Sequence, residues 1–366
     1  MASMLPAAEP ALLPRTVDDF AVPQPGRSFV FPRDHGSHPE FRIEWWYLTG
    51  HLWSDAGKRY GFQATFFRQA GPRENHPESR GGAFGSSDLY LAHSALLDIA
   101  SGQFLHEERL NREGWDAFSS TETLDLQNGN WSLTMVDSSE ERMHLLASVR
   151  AEASLNLELV PAKPKIFFGR DGVSRKGSDP TAASHYITFP RLNVSGVLTI
   201  EGAEVAVTGQ AWMDHEISSS QLSGGQVGWD WVSIQLEDGR EIMAYRLRLE
   251  DGRSDPFSTL AWVGSDGMVT HLGVDQFQWE ALDWWQSPQT GGRYPIAYRL
   301  RTTDPVTDRE VVFEVRPLAR VQELSGGIGG IAYWEGAGRV LDEAGKEVGS
   351  AYTELTGYAE SMEGRL

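Results

Sequence analysis

Glu44-Trp45-Trp46-Tyr47, followed after Leu48 and Thr49 by Gly50-His51-Leu52-Trp53-Ser54-Asp55-Ala56-Gly57-Lys58, reads as a strand that runs into a tight hairpin. Near the other end of the chain the layout returns as Tyr333-Trp334-Glu335, then Gly338-Arg339-Val340-Leu341-Asp342-Glu343-Ala344-Gly345-Lys346. Each copy has an apolar strand end and then acid-Ala-Gly, the chemistry of a short hairpin loop whose Gly takes positive φ. One unit written twice, far apart and with an aromatic-acid prefix on both copies, predicts two related β domains in tandem.

The sequence between the copies keeps the same period. Phe62, Ala64 and Phe66 fall on one strand face and Gln63, Thr65 and Phe67 on the other. Turn signals recur at Ser101-Gly102, Asn128-Gly129, Glu237-Asp238-Gly239, Glu250-Asp251-Gly252 and Ser265-Asp266-Gly267, the spacing of an all-β protein with short connections. Helical periodicity is scarce, and Ser139 to Ala147 is the best short candidate. Residues 1–20 are Pro- and Ala-rich without periodicity and are expected to be a flexible tail, with one domain over 21–218 and a second over 219–366. Residues 70–88 and 161–184 read as long irregular loops, the second as a crossover or a lid over a cavity.

Composition narrows the function. The 366 residues suffice for two domains with separate cores. No Cys is present, so neither disulfides nor thiolate chemistry is available. A net charge of −19 repels nucleic acid and anionic membrane surfaces. No run approaches the roughly 18 apolar residues of a membrane span, so no integral membrane segment is expected. The first residues show no basic n-region or apolar core of a leader. Met1-Ala2-Ser3-Met4 offers two starts, which leaves an exported or periplasmic protein with its leader absent from this sequence, or else a cytoplasmic one.

The densest chemical cluster is Gly209-Gln210-Ala211-Trp212-Met213-Asp214-His215-Glu216. Strand alternation sends Asp214 and Glu216 to one face and His215 to the other, unless a bulge turns the chain. A His beside a carboxylate in apolar surroundings can titrate near neutrality, which suits proton transfer, and an exposed turn capped by Asp214 is the plain alternative. In Gly228-Trp229-Asp230-Trp231 the two Trp share a face, and Asp230 on the other calls for a partner, for which Arg246 one strand over is placed. Trp229 and Trp231 line a cavity or pack a core. Glu44 and Trp46 share one face of their strand, while Trp45, Tyr47 and His51 share the other; Tyr90 and His93 form a similar pattern, with His93 a candidate cavity residue. His35-x-x-His38 is the one close His pair, but no carboxylate spacing completes a metal motif, so no metal is expected. No phosphate loop and no Gly-x-Ser-x-Gly elbow is present, so no nucleotide or other cofactor is expected.

These motifs, in this order, resemble the AttH/CrtC family, which includes the carotenoid 1,2-hydratases. The resemblance runs from about Phe41 to Tyr358. It rests on Glu44 to Gly50, Tyr186 with Arg191, Gly209 to Glu216, Gly228 to Trp231, Tyr294-Pro295, Tyr333 to Gly336, and Tyr352-Thr353-Glu354-Leu355-Thr356-Gly357-Tyr358. It implies two tandem lipocalin-like antiparallel β-barrels, an apolar ligand and, in the hydratase branch, addition of water to a terminal isoprenoid double bond. Asp214 and His215 would supply the acid and base, with Trp212, Trp229 and Tyr245 as walls around a carbocation. The hydratase pattern usually continues Asp-His-Asn and then Trp-Gly, whereas this chain has Glu216-Ile217-Ser218, closer to the AttH branch.

The expectation is thus a cofactor-independent hydratase, isomerase or cyclase, a carbon–oxygen lyase in its hydratase form, acting on an isoprenoid- or polyketide-like molecule. Asp214, His215 and Glu216 are its catalytic candidates. Glu44, Trp46, Tyr47, His93, Trp212, Trp229, Trp231, Tyr245, Trp334 and Glu335 are the candidates for substrate contact. The rival is a carrier that binds a hydrophobic ligand without chemistry and serves an exporter. An enclosed cavity containing Asp214 or His215 favours the enzyme; a smooth apolar cavity without them favours the carrier.

Overall fold

The computed structural model describes residues 14–71, 88–328 and 331–364. Most of the 70–88 segment therefore lies outside the described residues. The architecture is all-β, and among the described residues only short 3-10 turns such as Arg33–His35 and Val274–Gln276 stand beside the strands. No helix among the described residues is long and apolar enough to cross a membrane.

The first sheet holds β1 (Ile43–Ser54), β2 (Arg59–Gln69), β3 (Leu89–Asp98), β4 (Gln103–Arg112), β5 (Ala117–Ser119), β6 (Asp125–Asn128), β7 (Trp131–Asp137), β8 (Arg142–Val149), β9 (Ala153–Pro161), β10 (Ile166–Phe168), β11 (Ser174–Arg175), β12 (Ala183–Ile200) and β13 (Ala203–Ser220). The second holds β14 (Gln226–Leu236), β15 (Glu241–Leu249), β16 (Thr259–Val263), β17 (Val269–Gly273), β18 (Phe277–Gln286), β19 (Arg293–Asp304), β20 (Arg309–Pro317), β21 (Glu323–Leu324), β22 (Tyr333–Leu341) and β23 (Glu347–Leu355). Their orders are β4-β3-β2-β1-β13-β12-β9-β8-β7-β6-β5 and β17-β16-β15-β14-β23-β22-β20-β19-β18, with β10 and β11 added on β12 and β21 on β22.

In each sheet the first strand pairs with the last, which curls the sheet into a lipocalin-like barrel. Side chains bridge the open seam of the first: Asn111 Nδ2 donates to Asn128 Oδ1 at 2.6 Å, and Asn128 Nδ2 donates to the Tyr90 carbonyl at 3.0 Å. Both barrels are filled. Trp46, Phe62, Leu133, Leu145 and Leu157 pack the first, and Ile234, Trp262, Tyr298 and Leu300 the second.

Three expectations are corrected. Ser139 to Ala147 is no helix: Met143, Leu145, Ala147 and Val149 alternate into the first core, so the apolar period is two and the segment is β8. Residues 161–184 are not one irregular loop, because β10 and β11 pair with β12. Residues 14–20 are tied down, with Arg15 bridged to Ala21 and Phe20 buried.

The repeated hairpins form the same turn but not the same part of a barrel. Gly57 N–H donates to the Ser54 carbonyl at 2.8 Å and Gly345 N–H to the Asp342 carbonyl at 2.9 Å, with φ of 75° and 77°. The first hairpin joins the opening strands of its sheet, β1 and β2; the second joins the closing strands of its own, β22 and β23. The same turn bonding recurs at Gly239, Gly252 and Gly267, so it marks hairpin chemistry rather than a duplicated unit. The two hairpins meet across the barrel interface instead. His51 Nε2 donates to the Ala351 carbonyl at 2.9 Å, and Arg59 reaches Ser350 at 2.9 Å and Glu347 at 3.0 Å. A Cβ on Gly61 would lie 2.6 Å from that of Ala337, so only Gly allows this approach.

A charged network occupies one end of the first barrel. Glu44, fully buried, accepts from Ser37 Oγ (3.0 Å), His38 N–H (2.8 Å), His38 Nδ1 (2.8 Å), His215 Nε2 (2.9 Å) and Arg68 Nε (3.4 Å). His38 Nε2 also donates to Asp34 at 3.0 Å. Burial opposes the imidazolium, but Glu44 and Asp34 outweigh it and hold His38 up at about 9. Burial would raise Glu44; His38 and His215 instead hold it well below the usual carboxylate range. The ligand atoms of His38, Glu44 and His215 lie within 4.8 Å of one another. With Arg68 on the same carboxylate and His38 protonated, that donor set locks an anion rather than receiving a cation.

Because His38 has a raised folded pKa, its stabilisation is complete below the unfolded value and is lost as pH rises through about 9. Glu44→Gln leaves two buried cations short of a counter-charge and should cost about 3–5 kcal/mol. Denaturant titrations of both proteins at pH 7 and 10 check this: the wild type loses stability over that span and the variant loses less.

Candidate functional site

Between the outer faces of the two barrels lies a cavity of about 520 Å³, the size expected for a small-molecule site. Its first wall is built in rows, because residues paired across neighbouring strands stand side by side on one face. Glu216, Trp45, Phe67, Leu91 and Leu110 are successive partners across β13, β1, β2, β3 and β4. Two residues further along, Asp214, Tyr47, Thr65 and His93 form the next row, this one polar. The second barrel answers with Tyr245, Trp231, Glu354 and Glu335 across β15, β14, β23 and β22. All of these line the cavity.

Asp214 sits among three donors. Thr188 Oγ1 reaches its Oδ1 at 2.6 Å, Trp212 Nε1 the same oxygen at 2.8 Å, and Tyr186 Oη its Oδ2 at 2.7 Å. Tyr186 in turn accepts from Trp231 Nε1 at 3.0 Å, which ties the two barrels together at this point. Burial raises the Asp214 carboxyl; the three donors oppose it, Glu216 adds to it, and the group titrates at about 7.

Glu216 is held differently. Lys176 Nζ lies 3.2 Å from it, and Ser184 Oγ donates to it. The ammonium also stands 4.6 Å and 4.3 Å from the ring centroids of Tyr186 and Tyr245. Burial opposes its charge, but Glu216 and the surrounding groups hold its pKa above the ordinary lysine value.

On the opposite wall Glu354 accepts from Trp229 Nε1 at 3.0 Å, and burial raises it to about 7. Glu335, its direct cross-strand neighbour, has no hydrogen-bond partner for either oxygen among the described residues. Burial, then the Glu354 charge, raise it well above the carboxylate range; the Tyr47 hydroxyl acts on it in the other sense without reaching hydrogen-bonding geometry. His93 Nδ1 meets the Tyr333 hydroxyl of the other barrel. Burial lowers this imidazole to about 4, so it is neutral at pH 7.

The structure brings together Tyr47, His93, Asp214, Glu216, Trp229, Trp231, Tyr245 and Glu335 around the cavity, with Trp212 behind Asp214. Glu44, Trp46, His215 and Trp334 are elsewhere. Alternation along β1 and β13 turns the first three into the first barrel, where Trp46 stacks on His215 at 4.6 Å between centroids. Trp334 packs with Tyr294, Ile296 and Leu355 in the second barrel. Asp214 and His215 therefore stand on opposite faces of β13 and do not form one proton-transfer unit. Asp230 has its expected partner: Arg246 Nε donates to it at 2.9 Å and Tyr358 Oη at 2.8 Å, and Arg248 forms an ion pair with it at 3.1 Å. Lys176, Tyr186, Thr188 and Glu354 were missed. An acid between Thr353 and Leu355 in a β-period run is the signal that flags Glu354; Lys176 carries none, since its position depends on β11 lying against β12.

The chain matches the AttH-like family model over residues 22–358. A Nitrosomonas europaea protein assigned to AttH is 35% identical, with a TM-score of 0.81 over 93% of this chain and 99% of that one. At 12% identity, kievitone hydratase from Nectria haematococca superposes with a TM-score of 0.66 over 95% of this chain and 99% of its own. CghA, in complex with Sch210972, does so at 12% identity and 0.53 over 94% and 98%. These two likenesses concern the fold. No curated protein is significantly similar to the chain. By the span of the family match and the motifs that fill it, this protein belongs to the AttH-like family.

Proposed function

We propose that this protein is a cofactor-independent acid–base catalyst that adds water to, isomerises or cyclises a hydrophobic small molecule held between its barrels. The carrying observation is Asp214: a buried carboxyl on the wall of a largely aromatic and aliphatic cavity, titrating at about 7. An ordinary carboxyl, at about 4, is ionised at neutral pH and cannot donate. A fold shared with kievitone hydratase supports the same class of reaction.

In the hydration form, protonated Asp214 gives its proton to one alkene carbon, leaving a carbocation and a carboxylate that the Tyr186, Thr188 and Trp212 donors stabilise. Water then forms the C–O bond and gives up a proton, which restores the neutral sum. The faces of Trp45, Phe67, Trp229, Trp231 and Tyr245 stabilise the cation and exclude bulk water. An isoprenoid or polyketide-like substrate meets these needs. A carrier needs an apolar cavity but no protonatable acid in it, which makes it the weaker reading.

Mass spectrometry of molecules co-purifying with the native protein should identify the ligand. On that substrate, Asp214→Asn should lower turnover by about 10²–10⁴-fold with affinity changed only severalfold. Since the donor must be protonated, wild-type turnover should fall as pH rises through about 7, and the variant should lose that limb. His215→Gln should lower thermal stability and leave the limb in place, and the two effects should add. Full turnover in Asp214→Asn would end this reading.

A further inference from the structure

The mechanism above leaves one role unfilled, that of the group that takes a proton from the attacking water or from the cation. Among the described residues, four carboxyls line the cavity: Asp214, Glu216, Glu335 and Glu354. Asp214 is the donor. Glu216 is committed to Lys176 at 3.2 Å and to Ser184, so its charge is spent inside the wall. Glu335 is fully buried at 0% exposure, with no donor to stabilise an anion. That leaves Glu354, which is half-buried and receives a single hydrogen bond, from Trp229 Nε1 to Oε2 at 3.0 Å.

Its place in the fold suits the role. Asp214 belongs to β13 of the first barrel and Glu354 to β23 of the second, so the two carboxyls approach a bound molecule from opposite walls. Trp231 is the cross-strand partner of Glu354 and bonds the Tyr186 hydroxyl that serves Asp214, which fixes the two walls against each other. Glu335 at its side stays neutral and so does not oppose ionisation of Glu354. We propose that Glu354 is the second catalytic carboxyl of this site: as a carboxylate it faces the developing cation and takes the proton released by water, while Asp214 supplies the first proton. The atoms balance, since one proton enters the substrate from Asp214, one leaves water for Glu354, and exchange with solvent resets both. This inference rests on the acid–base reading of the cavity, and its binding arms do not require the natural substrate.

A hydrophobic ammonium resembles the cation. N,N-dimethyldodecylamine and the neutral dodecanol, titrated into the full-length protein and followed by Trp fluorescence, give a preference ratio that reports a carboxylate against the bound molecule. The ratio should favour the amine and grow at least tenfold as pH rises from 6 to 8, the span in which Glu354 ionises. In Glu354→Gln, whose amide oxygen can still accept from Trp229, dodecanol should bind within severalfold of wild type and the pH-dependent growth should fall to the share of Asp214, which titrates in the same span; in Asp214→Asn/Glu354→Gln it should vanish. Trp229→Phe keeps an aromatic wall but removes the donor that favours the anion, and should move the midpoint of the growth upward, which a packing role would not do. An amine preference that grows equally in Glu354→Gln overturns the assignment, as does an unmoved midpoint in Trp229→Phe. Either result with Asp214-dependent turnover intact removes Glu354 alone; loss of Asp214 dependence removes the reading beneath it.

Discussion

The pairing of β1 with β13 is the constraint on which the site depends, because neither strand has a solvent face where they meet. Ala211 to Ser219 is buried throughout, as is Trp46 to Leu52 on its partner. One face looks into the first barrel and the other into the seam between barrels. A slip of one residue would exchange the faces completely, sending Asp214 into the barrel and Glu44 into the seam. The register is held from both sides. Inside, His215 stands opposite Trp46 and bonds Glu44; outside, Asp214 stands opposite Tyr47 and bonds Tyr186 and Thr188 on β12. The charged lock in the barrel and the proposed acid in the seam are thus two consequences of one register.

The seam also shows how a single functional group is given different states. Each of its four carboxyls is taken out of water, which favours the neutral form. What differs is the company each one keeps. Glu216 has a full ammonium; Asp214 has three neutral donors and no cation in contact; Glu354 has one indole; Glu335 has none. Partners of falling strength leave one carboxyl ion-paired, two poised near neutrality and one protonated. Environments that push like groups apart are how acid and base duties are divided within a site.

Period two was legible in the sequence, and so was everything that follows from it alone. The all-β fold, the split of Asp214 and Glu216 from His215, the common face of Trp229 and Trp231, and the partnership of Asp230 with Arg246 are all properties of a strand or of two consecutive ones. What was illegible needed a register between distant strands. Glu44 and Trp46 could not be told from Trp45 and Tyr47 by parity, which says that two faces exist but not which meets the ligand. Glu354 meets Glu335 only through the pairing of β22 with β23, and Lys176 meets Glu216 only because β11 lies on β12 beside β13. The repeated hairpin misled for a related reason: acid-Ala-Gly encodes a turn, and a turn says nothing of where its strands lie in a sheet.

That the candidate site lies between barrels, when a lipocalin-like fold suggests a ligand inside one, follows from volume. Trp46, Trp131, Phe62 and the leucines of β7, β8 and β9 leave the first barrel no room, and Trp262, Phe277, Tyr298 and Phe313 fill the second. With both interiors packed, the large cavity falls to the seam, where the two walls do not touch. Such a gap keeps its shape only if the walls cannot slide. Glu241 on β15 is clamped by Arg191 and Lys163, each at 2.6 Å, and Arg191 reaches it from the bulge that Pro190 allows in β12. Gln235 donates to the Pro190 and Ala211 carbonyls at 2.8 and 2.9 Å, and Ser174 bonds Tyr245 at 2.9 Å. The side chains of the proposed chemistry point away from both cores, so the cores can be packed for stability while the seam carries acids without the full charge lock that Glu44 requires inside the first barrel.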